Sequence, residues 1–438
     1  MFASRTNWRF DPNPLAQALE RHSRSGRALL DLTVSNPTTC GFAYPQQEIL
    51  AALADPRALV YAPESKGLPE ARQAVAEYYS GRPGFHGAGA TVDVERILLV
   101  SGTSEAYSHL FRLLCEPGDE ILVPAPSYPL FEFLADLNDV RLAPYPLLYD
   151  HGWQMDFDAL RGALSPRSRA VLVVHPNNPT GSFVKPEQAA ELAAICAARQ
   201  MAIVADEVFL DYAAASASPE SVWQPENLCG SRLQPRHKTS NINPASAAEA
   251  RNLKLPHRLS PATFAHGGSA LTFALSGLSK ICALPQMKLA WIVVSGPEAL
   301  ARAAVERLEV IADTYLSPGV PVQLAAGKLL ALRGAMQAQL QQRIAANLAY
   351  MDGALGGAGS PITRLDREGG WYAVLRVPSS GSDESLAVQL LDRCSVLLHP
   401  GHFFNFAQDG FLVASLITRE SDFQEGLRRL QAFFAEPR

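Results

Sequence analysis

The sequence predicts an α/β protein of three layers, a mostly parallel sheet with helices on both faces, joined to a smaller α+β domain. Three observations carry this expectation. From Glu95 to about residue 300, short β-branched runs alternate with helical patterns, as in strands joined by crossover helices. After the amphipathic stretch 297–316 the pattern changes to helix, Gly-rich turn, strands, helix, strand and a final helix. At 438 residues the chain also exceeds what one hydrophobic core usually accommodates.

In chain order, residues 1–45 are Pro-rich and irregular, and are assigned to an arm that contributes to the small domain. Residues 46–300 form the large domain and 301–438 a linker helix with the small domain. ERILLVS (95–101) reads as a strand, and SEAYSHLFRLLCE (104–116) as a helix stopped by Pro117-Gly118-Asp119. EILVPAP (120–126) is a second strand, DFDALRGAL (156–164) a helix, and SRAVLVVHP (168–176) a further strand. MAIVADEVF (201–209) and ALTFALSG (270–277) continue the series. Between them, residues 213–262 carry clustered Ser, Pro, Asn and His without periodicity, which reads as an inserted surface excursion that tolerates shortening. The linker helix is 297–316, followed by the turn at Gly356, Gly357 and Gly359, strands around WYAVLRV (371–377) and the closing helix ESDFQEGLRRLQAFFAE (420–436).

Composition narrows the function. With 38 Lys and Arg against 43 Asp and Glu, a net charge of −5 and no basic run, a nucleic-acid or anionic-membrane surface is not expected. An apolar fraction of 47% excludes global disorder, and no uncharged apolar stretch is long enough to span a bilayer. The opening MFASRTNWRFDPNP lacks the apolar run of a secretory leader, so a cytoplasmic setting is expected. The six cysteines (40, 115, 196, 229, 282 and 394) lack metal-ligand spacing and read as reduced thiols. The segment from Gly81 to Gly89 lacks the strand-before, helix-after context of a dinucleotide fingerprint and reads as a loop.

The chemistry gathers at predicted strand ends, where open α/β sheets bind ligands. Lys280 follows a strand in Ser276-Gly277-Leu278-Ser279-Lys280. Ser101-Gly102-Thr103-Ser104 lies between a strand and a helix, where backbone N–H groups and hydroxyls suit an anion; a plain helix cap is the alternative. His175-Pro176-Asn177-Asn178-Pro179-Thr180-Gly181 holds a polar Asn in a rigid turn, and Asp206 ends the apolar run MAIVA. Each motif alone is compatible with ordinary turn, cap or surface chemistry.

Taken in order, SGTSEA, PSYP, NNPTG, ADEVF and SGLSK resemble the class I/II aminotransferases, the aspartate aminotransferase family of fold type I pyridoxal 5′-phosphate (PLP) enzymes. The resemblance runs from LDLTVSNPT near residue 31 through YAPESKGLPEAR at 61 to GGWYAVL and HPGHFF. It implies a large domain with a seven-stranded sheet, a small domain made of both chain ends, and a homodimer with its sites at the subunit interface. By resemblance, Lys280 forms the Schiff base with PLP and then moves the substrate α-proton. Asp206 pairs with the pyridine nitrogen, Asn178 donates to the ring oxygen, and Tyr128 stacks on the ring. Gly102, Thr103, Ser104, Ser279 and Lys288 bind the phosphate, Lys288 standing where the family usually has Arg. Tyr61 matches a tyrosine that reaches the phosphate of the neighbouring subunit.

The implied activity is amino-group transfer from a small-molecule donor to an oxo acceptor. A PLP-dependent lyase or decarboxylase is the enzymatic alternative, because cofactor motifs report the electron sink and not the bond broken. A cofactor-binding protein without turnover is disfavoured, since Lys280 and Asp206 are both present. His399-Pro400-Gly401-His402 is a poor metal site and is expected near the cofactor. Two departures stand out. Phe209 stands three residues after Asp206, where the family usually has Tyr, and Val413 stands near the usual carboxylate-binding Arg, with Arg419 the nearest cation in sequence.

Overall fold

The computed structural model describes residues 1–8, 10–85, 91–214, 261–316, 318–357, 359–378 and 381–435. The expected insertion 213–262 lies outside the described residues apart from 213, 214, 261 and 262, and Cys229 falls within the undescribed part.

An eight-stranded sheet forms the centre, in the order Ile97–Val100, Ala290–Ser295, Thr272–Gly277, Ala202–Asp206, Ser168–Val174, Glu120–Ala125, Arg141–Tyr149, Trp153–Met155. The four pairings from Thr272–Gly277 through to Arg141–Tyr149 are parallel; those at either end are antiparallel. The resemblance implied seven strands. The eighth, Trp153–Met155, folds back on Arg141–Tyr149 as a short antiparallel edge, with Tyr149 opposite Trp153 and their rings 5.2 Å apart.

Apolar strands buried on both faces explain the layering. Ile97 and Leu99 enter one core and Leu98 and Val100 the other; Ile203 and Ala205 divide likewise from Ala202 and Val204. Each face therefore needs helices. Thr103–Leu114 and Glu298–Tyr315 cover one through Tyr107, Leu110, Ala301 and Leu308. Pro69–Tyr79, Pro186–Ala198 and the first part of Val320–Leu355 cover the other through Val75, Leu192 and Leu329.

A separate core surrounds a four-stranded antiparallel sheet, Thr363–Arg364, Tyr372–Arg376, Phe411–Ser415 and His399–Pro400, together with the distal half of Val320–Leu355 and the helix Glu420–Ala435. Leu30–Asp31 pairs in parallel with Val396–Leu397, which brings the amino-terminal segment to this unit.

That segment is not irregular as expected. Pro14–Arg24 is a helix whose Asn13 side chain accepts from the Ala16 N–H at 2.7 Å, with Pro14 at the first helical position. Leu15 and Ala18 bury against Ala387 and Leu391. Proline there starts a helix instead of breaking one.

Candidate active site

A cavity of about 290 Å³ opens beside the carboxyl ends of the central strands. It gathers groups far apart in sequence. Asp206 ends its strand, in register with Val174 and Leu275 on its neighbours. Lys280 sits in the four-residue helix Leu278–Ile281 that follows Thr272–Gly277. Both side chains line the cavity.

Lys280 is held in an apolar frame. Its Nζ lies 4.8 Å from the Trp371 ring centre and 5.6 Å from that of Phe209. The Tyr212 hydroxyl donates to the Lys280 carbonyl at 2.7 Å and its ring packs edge-on against Trp371, which fixes the lysine backbone from the small-domain side. Burial lowers the Lys280 pKa from 10.5 to about 8, against the opposing pull of Asp206. An amine so placed keeps a reactive unprotonated fraction near neutral pH.

Asp206 is buried, and burial pushes its carboxyl pKa up. Bonds to its charged form oppose this: Val208 N–H donates to Oδ1 at 3.1 Å and the Tyr107 hydroxyl to Oδ2 at 2.7 Å. The adjacent Glu207 points away, accepting from Thr263 Oγ1 and Phe264 N at 2.7 Å each, and burial pushes it up to about 7.

The turn His175–Gly181 separates its two asparagines by role. Asn177 is consumed internally, its Oδ1 accepting from Thr180 Oγ1 at 2.9 Å. Asn178 lines the cavity, and its buried Oδ1 meets no hydrogen-bond partner among the described residues. Gly181 adopts φ +72, and a Cβ there would meet the Gly369 carbonyl oxygen at 2.4 Å. This close approach lets the Gly369–Trp371 strip reach the site.

Gly102, in the same lining, opens the helix Thr103–Leu114 with no side-chain cap. Glu105, which could have competed for the helix start, instead accepts from Ser101 N at 2.6 Å and Ser101 Oγ at 2.9 Å. Gly102, Thr103 and Ser104 line the cavity at this uncapped helix start, where N–H groups and hydroxyls suit an anion. Ser279 and Lys288 also line it, Lys288 in the left-handed region at φ +51. Tyr128 lines the same space, its ring edge-on to Phe131.

A cavity whose lining combines an uncapped helix start, a buried carboxylate and an amine fits a flat phosphorylated pyridine. Asn178, whose buried amide has an unpaired Oδ1 among the described residues, is a polar side chain of this lining that the protein's own bonds leave partly unsatisfied.

A family model described as Aminotransferase class I and II matches residues 27–430. The chain belongs to this family. It is thus a member of the PLP-dependent aminotransferases, of fold type I. Glutamate-pyruvate aminotransferase AlaA of Escherichia coli (strain K12) is 28% identical over 313 residues, 71% of this chain and 66% of that enzyme, just under two thirds of its length. Alanine aminotransferase of Mycobacterium tuberculosis (strain ATCC 25618 / H37Rv) is 26% identical over 447 residues, covering 97% and 90%. Among solved structures, alanine aminotransferase from Pyrococcus furiosus superposes with TM-score 0.79 at 20% identity over 100% of both chains. Thermus thermophilus aspartate aminotransferase gives 0.72 at 21% over 99% of each. These relatives are named aminotransferases, and the lyase or decarboxylase alternative finds no support in them.

Of the sequence-predicted site residues, Gly102, Thr103, Ser104, Tyr128, Asn178, Asp206, Ser279, Lys280 and Lys288 all line the cavity. Tyr61 is not among them; it is 79% exposed on the single chain. The turn His399–His402 was expected near the cofactor but does not line the cavity, because His399 pairs in the small sheet opposite Val413. What reaches the site is its continuation, where the Phe404 carbonyl accepts from Ser127 N at 2.8 Å. Arg419 is exposed, beside Gly41, and does not line the cavity either. Sequence reasoning missed Tyr107, Ser35, Tyr372 and Trp371. Ser35 and Tyr372 lie inside the quoted LDLTVSNPT and GGWYAVL segments, and Tyr107 is one helical turn beyond Thr103, so spacing held a signal for each.

Proposed function

We propose that this chain transfers an amino group between a small-molecule amino donor and an oxo acceptor, with Lys280 as the residue that carries PLP covalently and afterwards moves the α-proton. One observation supports this above others: a lysine of lowered proton affinity shares a cavity with a buried carboxylate and an uncapped helix start. PLP, when bound, supplies an aldehyde that condenses with amines and a ring that takes up the electron pair left by the departing proton.

The chain's own residues do the rest. Lys280, with a pKa of about 8, is unprotonated in about one molecule in ten at pH 7, enough for a nucleophile that is regenerated as a base. Asp206 holds a proton at the ring nitrogen by its negative charge, and Asn178 donates to the ring oxygen. The N–H groups and hydroxyls of Gly102, Thr103 and Ser104, with Ser279 and Lys288, hold the phosphate. Tyr128 covers one ring face.

A homodimer belongs to the same reading. Leu59, Val60 and Tyr61 are 90%, 63% and 79% exposed on the single chain, an apolar strip that a second copy would cover while Tyr61 reaches that copy's phosphate. Cys40, Cys115, Cys196 and Cys282 are free thiols, which supports a reducing, cytoplasmic setting. Among the described residues, no helix is long and apolar enough to cross a membrane.

Borohydride reduction of the holoenzyme, followed by peptide mapping, tests the central assignment. The cofactor must be found on Lys280, and Lys280→Ala must abolish the label and most turnover. A label on another lysine refutes the assignment.

A further inference from the structure

The Tyr107 hydroxyl is committed. It donates to Asp206 Oδ2 at 2.7 Å, inside the core and 99 residues away in sequence. Its ring is wedged edge-on against Phe131 at 5.2 Å and tilted against Phe111 at 6.1 Å, so the phenol has one direction in which to point. The helix that carries it is the one whose uncapped start lines the cavity. We infer that Tyr107 is a positioning residue that acts through Asp206 to keep the shared proton on the ring nitrogen of the bound cofactor. The inference rests on the reading of Asp206 as the partner of that nitrogen.

The physical argument is a competition between two bases. A proton between a pyridine nitrogen and a carboxylate sits on whichever holds it more strongly, and a buried carboxylate holds protons well because burial penalises its charge. Each hydrogen bond donated to the carboxylate weakens that hold. Asp206 receives two, from the Val208 N–H and from Tyr107. The backbone bond is common to any residue at this turn, whereas the phenol bond depends on one side chain. The other groups facing Asp206 do not replace it. Lys280 favours the ionised carboxylate only while it is itself charged, and that charge is lost in its working cycle. Glu207, when ionised, opposes it, and Tyr128 contributes as a neutral neighbour. Tyr107 is thus the standing donor. A bond to a charged group of this kind shifts the proton's partition between ring and carboxylate by about tenfold or more.

The test uses holoenzyme loaded with PLP carrying ¹⁵N at the pyridine nitrogen, whose NMR shift separates protonated from neutral ring. Wild type is expected to show the protonated signal and Asp206→Asn the neutral one. Tyr107→Phe, which keeps the ring packed, is expected to move the signal part way towards neutral and to lower kcat about tenfold with KM within about twofold. Phe111→Leu, which disturbs the same packing and leaves the hydroxyl, is expected to leave the signal in place. If Asp206→Asn moves the signal and Tyr107→Phe does not, the role of Tyr107 is overturned and that of Asp206 stands. If Asp206→Asn leaves the signal unmoved, the Asp206 reading fails and takes Tyr107 with it. Should Tyr107→Phe protein not retain PLP, 3-fluorotyrosine at position 107 preserves shape and strengthens the donor. It must then raise the pH at which the ring-nitrogen signal turns neutral, and an unmoved midpoint overturns the inference.

Discussion

Replacing Lys280 by Met should make the cofactor-free protein more stable at neutral pH. The lysine amine lies among Trp371 and Phe209, and its pKa is lowered from 10.5 to about 8. In the unfolded chain the same amine stays protonated up to its ordinary value, so between about pH 8 and 10.5 the unfolded state binds more protons than the folded one. Stability of the wild-type apo-protein therefore rises with pH through that window. Below it, the folded state carries the full penalty of a charge in an apolar frame, about 3 kcal/mol at pH 7. Methionine fills a similar volume without the charge. Urea unfolding of both apo-proteins, at equal concentration and at several pH values from 7 to 10.5, should show Lys280→Met ahead at pH 7. The difference should shrink by about 3 kcal/mol towards pH 10.5. Titrating groups not coupled to Lys280 cancel in the comparison, and Asp206, which is coupled to it, titrates on the acid side of this window. A difference that stays constant across the window would refute the lowered pKa, and with it the argument that burial prepares this amine for attack.

Two further outcomes follow from the departures at 413 and 209. Val413 is buried opposite Val374 in the small sheet, and Lys280 and Lys288 are the cations among the described residues lining the cavity. Without a guanidinium fork, worth about 2–5 kcal/mol for a buried carboxylate pair, kcat/KM for aspartate and glutamate should lie at least about thirtyfold below that for the best substrate in a panel of α-amino acids and carboxylate-free amines. Arg419→Ala should leave the ranking unchanged; a strong, Arg419-independent preference for dicarboxylic amino acids would show the carboxylate site to be elsewhere. Phe209 cannot donate to the cofactor's ring oxygen, so Phe209→Tyr should lower the pH midpoint of the holoenzyme's visible absorbance by up to about one unit, and an unchanged spectrophotometric titration would count against that placement.

The amino-acid sequence alone determined the layered α/β plan and most of the cavity's polar groups, because both are written locally. Runs such as ILLV and AIVA are apolar at every position and become strands covered on both faces. Residues immediately after such strands, among them Gly102, Asn178 and Lys280, reach the same edge of the sheet whatever the rest of the chain does. Asp206 was legible as a carboxylate that its own neighbours did not explain. The helix Pro14–Arg24 departs from the irregular reading of the Pro-rich segment 1–45, because Asn13 and Pro14 form an ordinary helix start. Where the chemistry depends on which distant groups meet, only the tertiary structure decided it. The Tyr107–Asp206 bond joins a helix to a strand end, and the frame of Lys280 draws Trp371 from the other sheet. Packing also sets His399 opposite Val413 in the small sheet, and the turn His399–His402 is not part of the cavity lining. Local sequence sets which atoms face the sheet edge, but proton affinity there depends on burial and on partners that long-range packing alone supplies.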